Sequence, residues 1–240
     1  MVTAIFPAAG QSRRMKDILK SVTNKNFLEL GDSAILIHTL QTFSQSDKID
    51  NLIIAAASDE IETVNEILSQ VSDLKPYQVV KGGSERQYSI ANALKYVPDD
   101  SEIILVHDAA RPLISIKTIE EVVEAARIYG GAIAAVPEKN TIKVVDTDKF
   151  VVATPPRAHL VSVQTPQGFR REIIMKAYQQ AADDNFLGTD DSSLVERLGI
   201  KVKIVLSEYR NIKVTTPEDI LIAQALINAR CLMRNGEVAK

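Results

Sequence analysis

Three short segments of the chain combine small residues with charged side chains. Residues 7–15 read PAAGQSRRM, residues 81–86 read KGGSER, and residues 107–112 read HDAARP. Small residues allow backbone N–H groups to approach phosphate oxygens closely, and the Lys and Arg side chains add positive charge. The segments match neither the G-x-x-x-x-G-K-[ST] loop nor the G-x-G-x-x-G fingerprint. They therefore predict a phosphate-binding site of a different design.

The third segment also carries a carboxylate. Asp108 directly follows an apolar run, and a carboxylate at the end of a strand is well placed to bind Mg²⁺ beside substrate phosphates. Arg111 lies three residues further on and is a candidate for holding the phosphate of a second substrate. We interpret His107 as a structural residue whose ring is hydrogen-bonded by its neighbours. In the second segment, Ser84 is predicted to cap a helix whose N-terminus would attract an anion.

These segments follow strands of a predicted α/β fold. Apolar runs alternate with amphipathic helical patterns, the runs being 2–7, 52–57, 77–80, 103–107 and 132–136. Uniformly apolar strands are typical of a sheet covered on both faces, which predicts a Rossmann-like, mostly parallel sheet with helices on both faces. Such sheets bind ligands at the C-terminal ends of their strands. Asp59, with Glu62 three residues later, is predicted to cap the second helix.

The pattern changes after residue 137. The short β-like runs 141–145, 150–154 and 161–164 predict a projecting β-arm at about 138–164 within a single domain of residues 1–240. An isolated hairpin is hard to stabilise, so the arm favours a homodimer. Helices are expected at 170–182 and 190–198, followed by a strand at 201–206. A last helix is expected to begin at Thr216-Pro217, a good capping pair, and to end near residue 233.

The composition narrows the class of protein. Hydrophobic residues make up 45% and charged residues 25% of the chain, as in ordinary globular domains. The formal charge of −3 gives no general attraction to nucleic acid. The single cysteine, Cys231, excludes an internal disulfide and a cysteine-based zinc site. Without a secretory signal or a run of about 18 apolar residues, we expect no membrane association and a cytoplasmic location.

Taken in order, the motifs resemble one family. PAAG-x-x-x-R-M, GG-x-E-R-x-x-S, HDAARP, TPQ-x-F, TD and NIKVTTPED span about residues 3–228 and resemble the 2-C-methyl-D-erythritol 4-phosphate cytidylyltransferases of the non-mevalonate isoprenoid pathway. The resemblance implies transfer of CMP from CTP to methylerythritol phosphate with release of pyrophosphate. It also implies Mg²⁺ as the cofactor and a homodimer joined through the β-arm.

The resemblance also implies roles for individual residues. CTP would contact Ala8, Ala9, Gly10, Ser12, Gly82, Ser84, Arg86, Ser89 and Asp108, and Asp108 would also meet the metal. Catalysis would depend on Arg14, Lys25 and Lys213. The methylerythritol phosphate would contact Arg111, Thr141, Arg157, Thr165 and Thr189, with Arg157 supplied by the other subunit. Ser12 and Ser84 stand where many relatives have glycine and aspartate, and Lys20 is a rival for the role of Lys25.

The chemistry needs no general base, because a phosphate monoester is already ionised near neutral pH. Catalysis would then come from positioning the two anions and from fixed positive charge. A cytidylyltransferase for ribitol 5-phosphate remains an alternative, although PAAG and HDAARP favour the methylerythritol enzymes. A nucleotide-binding regulator without catalytic activity on the same scaffold also remains open.

Overall fold

The structure is a computed structural model that describes residues 1–10, 15 and 24–234. Two predicted site residues, Ser12 and Arg14, lie outside the described residues, as does Lys20. Over this range the helices are α1 (Ile35–Ser44), α2 (Ile61–Ser69), α3 (Arg86–Leu94), α4 (Ile116–Tyr129), α5 (Arg171–Asp183), α6 (Asp191–Glu196) and α7 (Pro217–Arg234). None of these helices is long and apolar enough to cross a membrane.

The strands form one large sheet and two small ones within the described part of the chain. They are β1 (Val2–Pro7), β2 (Glu29–Leu30), β3 (Ser33–Ala34), β4 (Asn51–Ala56), β5 (Tyr77–Lys81), β6 (Ile103–Val106), β7 (Gly131–Pro137), β8 (Val144–Val145), β9 (Val151–Ala153), β10 (Val161–Arg170) and β11 (Lys203–Leu206). The large sheet has the order β11-β7-β10-β6-β1-β4-β5. Its pairings are parallel except those of β10, so the prediction of a mostly parallel sheet is confirmed.

Successive residues of each central strand pack on opposite faces of this sheet. In β1, Phe6 packs with α1, α2 and α4 on one face, whereas Ile5 packs with α3, α5 and α6 on the other. Leu105 and Ile104 of β6 divide in the same way. Because side chains alternate across a strand, a strand buried on both faces must be apolar at every position, as these strands are.

A third apolar cluster holds α7 against the loop side of the molecule. It contains Leu30, Leu113, Val214 and Ala223. The backbone N–H of Val214 donates to the carbonyl of Ala110 at 2.8 Å, which ties the segment before α7 to the loop after β6. The two segments that carry Lys213 and Asp108 are therefore held side by side.

The arm is shorter at its end than predicted. Residues 161–164 do not belong to a projecting hairpin but begin β10, which lies in the large sheet between β7 and β6. The sequence conceals this strand because Gln164, Thr165 and Gln167 make it look like a loop. All three are buried and hydrogen-bonded, with Gln167 donating to Asp190 and Asn211 donating to Gln164. Only β8 and β9 form the predicted separate hairpin in the described residues.

The side-chain caps predicted for α2 and α3 are wrong, whereas α7 begins at Pro217 as predicted. The N-cap of α2 is Glu60 and the N-cap of α3 is Glu85, and neither helix has a side-chain cap bond. Glu60 is occupied elsewhere, because it accepts a hydrogen bond from Asn24 at 2.9 Å. Ser84 lies one residue too early to cap α3, and Asp59 lies one residue before the N-cap of α2.

Candidate active site

A cleft of about 360 Å³ opens at the C-terminal ends of the central strands. It is bounded by the segments that follow β1, β5 and β6 and by the segment before α7, in agreement with the prediction for a sheet of this kind. The charged residues that line it are Lys25, Glu85, Arg86, Asp108 and Lys213. The remaining lining residues are small or polar: Pro7, Ala9, Gly10, Asn26, Gly83, Ser84, Ser89, Ala109, Ala110 and Thr215.

Asp108 lies at the centre of what we call the charged wall of the cleft, which Asp108, Arg86 and Lys213 form. Its Oδ1 lies 3.0 Å from Nε of Arg86, and its Oδ2 lies 2.8 Å from Nζ of Lys213 and 3.6 Å from Nε of Arg111. Burial alone would raise the pKa of this carboxyl. The positive charges of Arg86, Lys213 and Arg111 outweigh that effect and hold the pKa of Asp108 well below its usual range. Asp108 is therefore a permanent anion that orients cations in the cleft.

Arg86 joins this wall to a second buried carboxylate. Its Nη2 donates to Oδ2 of Asp191 at 2.7 Å, while its Nε donates to Asp108. Burial would lower the pKa of Arg86, but Asp191 and Asp108 raise it above its usual value. Behind Asp191, the hydroxyl of Tyr178 donates to Oδ1 at 2.5 Å. Burial and the neighbouring Asp191 raise the pKa of Tyr178, so this hydroxyl stays protonated.

His107 supports the loop after β6 through contacts with Thr165 and Arg111, which confirms its interpretation as a structural residue. The backbone N–H of Asp108 donates to Oγ1 of Thr165, and Oγ1 lies 3.1 Å from Nδ1 of His107. Nε2 lies 3.2 Å from the carbonyl of Arg111, which can only accept, so Nε2 carries the proton and Nδ1 accepts from Thr165. Burial lowers the pKa of His107 to about 3, so the ring is neutral near pH 7.

Lys25 lines the cleft beside the segment that carries Lys213. Its Nζ donates to the carbonyl of Val214 at 2.6 Å. Its neighbours Asn24 and Asn26 both donate to the carbonyl of Ala8, at 2.8 and 3.2 Å. The N–H of Ala8 is used within the fold as well, and its side chain is buried. Ala8 thus lies beneath the cleft surface and supports it, whereas Ala9 and Gly10 line the cleft.

The second predicted segment wraps tightly against the first. A Cβ on Gly82 would lie 2.5 Å from Cβ of Ala9, so a glycine is required for the two segments to approach. The N–H of Gly82 donates to the sheet, and the N–H of Gly83 donates to Oγ of Ser89. The glycines therefore serve close packing, and Ser89 also holds the turn together. Ser84 is exposed on the rim between the cleft and an adjoining recess of about 440 Å³.

None of the five predicted contacts of the second substrate lines this cleft in the described chain. Arg111 and Thr165 lie behind Asp108 as supports, and Arg111 also donates to the carbonyl of Asn211 at 2.7 Å. Thr189 is exposed before α6. Thr141 and Arg157 are exposed on the arm, and Arg157 donates to the carbonyl of Lys139. Within one chain, the structure does not bring these five residues together.

The residues of the cleft suit a metal ion that is held mainly by the phosphate groups of a bound substrate. Among the described residues, no three His, Cys, Asp or Glu side chains gather as a metal site. Asp108 is already paired with three cations, and Glu85 is the other carboxylate of the cleft lining. Mg²⁺ commonly takes one or two carboxylates and completes its shell with phosphate oxygens and water. Asp108 is the carboxylate of the charged wall that could serve as such a ligand beside the phosphates.

Several residues that support the site from behind were not predicted from the sequence. Asp191 stands beside the TD motif and is a second acid that could have been singled out. Asn211 stands in the NIKVTTPED motif, and its buried side chain donates to Gln164 and to the carbonyl of Thr165. Tyr178 carried no signal, because it occupies an ordinary apolar position on the inner face of α5.

Comparisons with known proteins match almost the whole chain to one family. Residues 2–229 match the family model described as 2-C-methyl-D-erythritol 4-phosphate cytidylyltransferase. Curated relatives of that name from Caldanaerobacter subterraneus and Bacillus cereus are 43% and 44% identical, covering 94% and 96% of this chain and 98% and 99% of their own lengths.

Solved structures also resemble this chain over nearly its whole length. The 4-diphosphocytidyl-2C-methyl-D-erythritol synthase from Anaerococcus prevotii superposes with a TM-score of 0.84 at 33% identity, covering 95% of this chain and 96% of its own. The 2-C-methyl-D-erythritol 4-phosphate cytidylyltransferase from Thermus thermophilus superposes with a TM-score of 0.76 at 28% identity, covering 95% and 98%.

Proposed function

Because the chain belongs to the 2-C-methyl-D-erythritol 4-phosphate cytidylyltransferase family, we propose that it transfers CMP from CTP to that polyol phosphate in isoprenoid precursor biosynthesis. The observation that carries the proposal is the arrangement of Arg86 and Lys213 around Asp108, with Lys25 lining the same cleft. A cleft with fixed cations suits the joining of two anions, which is the difficulty of this reaction.

The reaction can be written with the residues of this cleft. A phosphate oxygen of the polyol substrate forms a bond to the α-phosphorus of CTP, the bond from that phosphorus to the bridging oxygen breaks, and pyrophosphate leaves. The attacking phosphate is already ionised, so no residue has to remove a proton. Lys213 and Lys25 offset the charge that builds on the α-phosphoryl oxygens, and Asp108 keeps Lys213 in place. Arg14 is expected to assist them.

Mg²⁺ would be held by the triphosphate together with Asp108 and would neutralise part of the phosphate charge when bound. Ala9, Gly10 and Gly83 shape the wall on which the nucleotide would lie, and Ser84 and Ser89 flank it. The small side chains keep this wall open, which supports the role expected for the first two segments.

The polyol phosphate is proposed to bind where a second subunit completes the cleft. Thr141 and Arg157 are exposed on an arm whose apolar residues are also exposed, with Phe150 71% and Val151 58% accessible. Exposed apolar clusters of this kind usually lie against a partner. We propose a homodimer in which the partner subunit's Arg157 reaches the substrate phosphate.

Pyrophosphate release tests the reaction. Purified protein would be given CTP and Mg²⁺ with either 2-C-methyl-D-erythritol 4-phosphate or ribitol 5-phosphate. Turnover with the first and little with the second is the expected result. The reverse preference would assign the chain to pentitol phosphates. Binding of CTP without turnover on either substrate would support a regulator.

Mixing inactive variants tests the shared site. Arg157→Ala and Lys213→Ala proteins are expected to be inactive alone. After subunit exchange, mixed dimers should regain activity, because one of their two sites then combines an intact Lys213 with an intact Arg157 from the neighbour. If verified mixed dimers gain nothing, Arg157 does not act across the interface.

A further inference from the structure

Behind the cleft, four side chains form a continuous relay, which we call the Tyr178 relay. The hydroxyl of Tyr178 donates to Oδ1 of Asp191 at 2.5 Å, and Oδ2 of Asp191 accepts from Nη2 of Arg86 at 2.7 Å. Nε of Arg86 then donates to Oδ1 of Asp108 at 3.0 Å. The members come from α5, α6, α3 and the segment after β6. The relay therefore joins three helices to the charged wall of the cleft.

We propose that Tyr178 and Asp191 are positioning residues for the transfer reaction, acting through Arg86 and Asp108 to set the place of the Lys213 ammonium group. The inference rests on the proposed cytidylyl transfer. Neither Tyr178 nor Asp191 lines the cleft in the described part of the chain, so neither is a catalytic residue.

The geometry gives each member of the relay one orientation. A guanidinium group is planar, so holding Nη2 of Arg86 on Asp191 and Nε on Asp108 determines the plane of the group. Nε in turn holds Oδ1 of Asp108, which leaves Oδ2 facing Nζ of Lys213 at 2.8 Å. The lysine side chain has a flexible four-carbon stem and is more than a third exposed. A fixed carboxylate is what limits its movement.

The buried carboxylate of Asp191 needs both of its partners. Its side chain is fully buried, and a buried ion that loses a hydrogen bond bears the full cost of desolvation. The ring of Tyr178 packs in the apolar cluster beside Ile174 and Leu194, so the ring alone can satisfy the packing of α5. The hydroxyl has a separate task, which is to hold Asp191 in the position that receives Arg86.

The test is the kinetics of Tyr178→Phe, which keeps the ring and removes the hydroxyl. We expect kcat to fall about tenfold while KM for CTP changes by less than about twofold, because the displaced ammonium group matters most where charge builds in the transition state. Asp191→Asn keeps the shape and removes the charge, and its kcat is expected to fall further. Tyr129→Phe, a half-exposed tyrosine at the end of α4, is the control and should leave kcat unchanged.

A double-mutant cycle separates positioning from general stability. If the relay acts through Lys213, the tenfold effect of Tyr178→Phe should shrink to less than about twofold in a Lys213→Ala background. Equal effects in both backgrounds, or a loss that only follows the folded fraction measured by unfolding, would overturn the proposal. An unchanged kcat in folded Tyr178→Phe or Asp191→Asn would also overturn it. Wild-type turnover is recorded first, so a failure of the proposed function appears there and not in the variant ratios.

Discussion

Replacing Lys213 by alanine tests the electrostatic account of the cleft most directly. Its Nζ lies 2.8 Å from Oδ2 of Asp108, and the side chain is 36% exposed. Its removal leaves Asp108 paired with Arg86 and Arg111, so the buried carboxylate is still compensated. A partly exposed ion pair contributes only about 0–1 kcal/mol to stability. We therefore expect the variant to remain folded, with a free energy of unfolding reduced by about 1 kcal/mol or less.

The effect on turnover should be much larger. Removing one preorganised donor at a site of developing charge typically costs a factor of about 10²–10³ in kcat, or roughly 2.7–4 kcal/mol. The expected loss of transition-state stabilisation thus exceeds the expected loss of folding stability several times. The two losses differ because the ammonium group stands near the reacting phosphates, where charge builds in the transition state. In the resting protein, water also solvates this partly exposed group, so its removal costs little stability.

The assay is pyrophosphate release at saturating CTP and methylerythritol phosphate, combined with urea unfolding of the same preparations. Lys48→Ala is a matched control, because Lys48 is 40% exposed and forms a single ion pair with Glu124 far from the cleft. The control should lose a similar small amount of stability and no activity. Folded Lys213→Ala retaining more than about a tenth of the wild-type kcat would refute the reasoning.

Three further predictions use the same preparations. His107 makes stability depend on pH, because the pKa of a histidine is near 6.5 in the unfolded chain but about 3 for buried His107. Its contribution to the free energy of unfolding is therefore lost as pH falls through this window, by up to about 1.4 kcal/mol per pH unit. His107→Gln should lack this slope in urea titrations at different pH. Gly82→Ala places a Cβ 2.5 Å from that of Ala9, so it should cost about 1–3 kcal/mol of stability and raise KM for CTP. An unchanged urea midpoint would contradict the close packing of the two segments. Lys25→Ala should stay folded but lose about 10²–10³ in kcat, and near-normal turnover would exclude Lys25 from catalysis.

Some of the site could be predicted because it depends on local patterns. The uniformly apolar runs predicted the parallel strands, and residues directly after such strands must lie at one edge of the sheet. Asp108 and Arg86 could be placed in one cleft on that ground alone. Lys213 was different, because it does not directly follow a strand: β11 already ends at Leu206. It was assigned from family resemblance, and the structure explains its position by the contact between Val214 and Ala110.

The remaining differences arise from long-range contacts. The strand β10 has buried polar residues whose partners, such as Asn211 and Asp190, lie far away in the chain. Polar residues in a strand are acceptable only when such partners exist, and a single sequence does not reveal them. The caps predicted for α2 and α3 failed for a related reason, since the first residue of a helix depends on where its neighbours direct their side chains.

The sequence by itself determined the α/β class, the order of most elements and the segments in which phosphate chemistry could occur. These properties follow from hydrophobic periodicity and from residue types, which act over short distances along the chain. Only the tertiary structure decided how the charges are paired: Asp108 with three cations, Arg86 between two carboxylates, and Tyr178 behind Asp191. Pairing energies depend on distances of a few ångströms between residues up to 105 positions apart, and packing sets those distances.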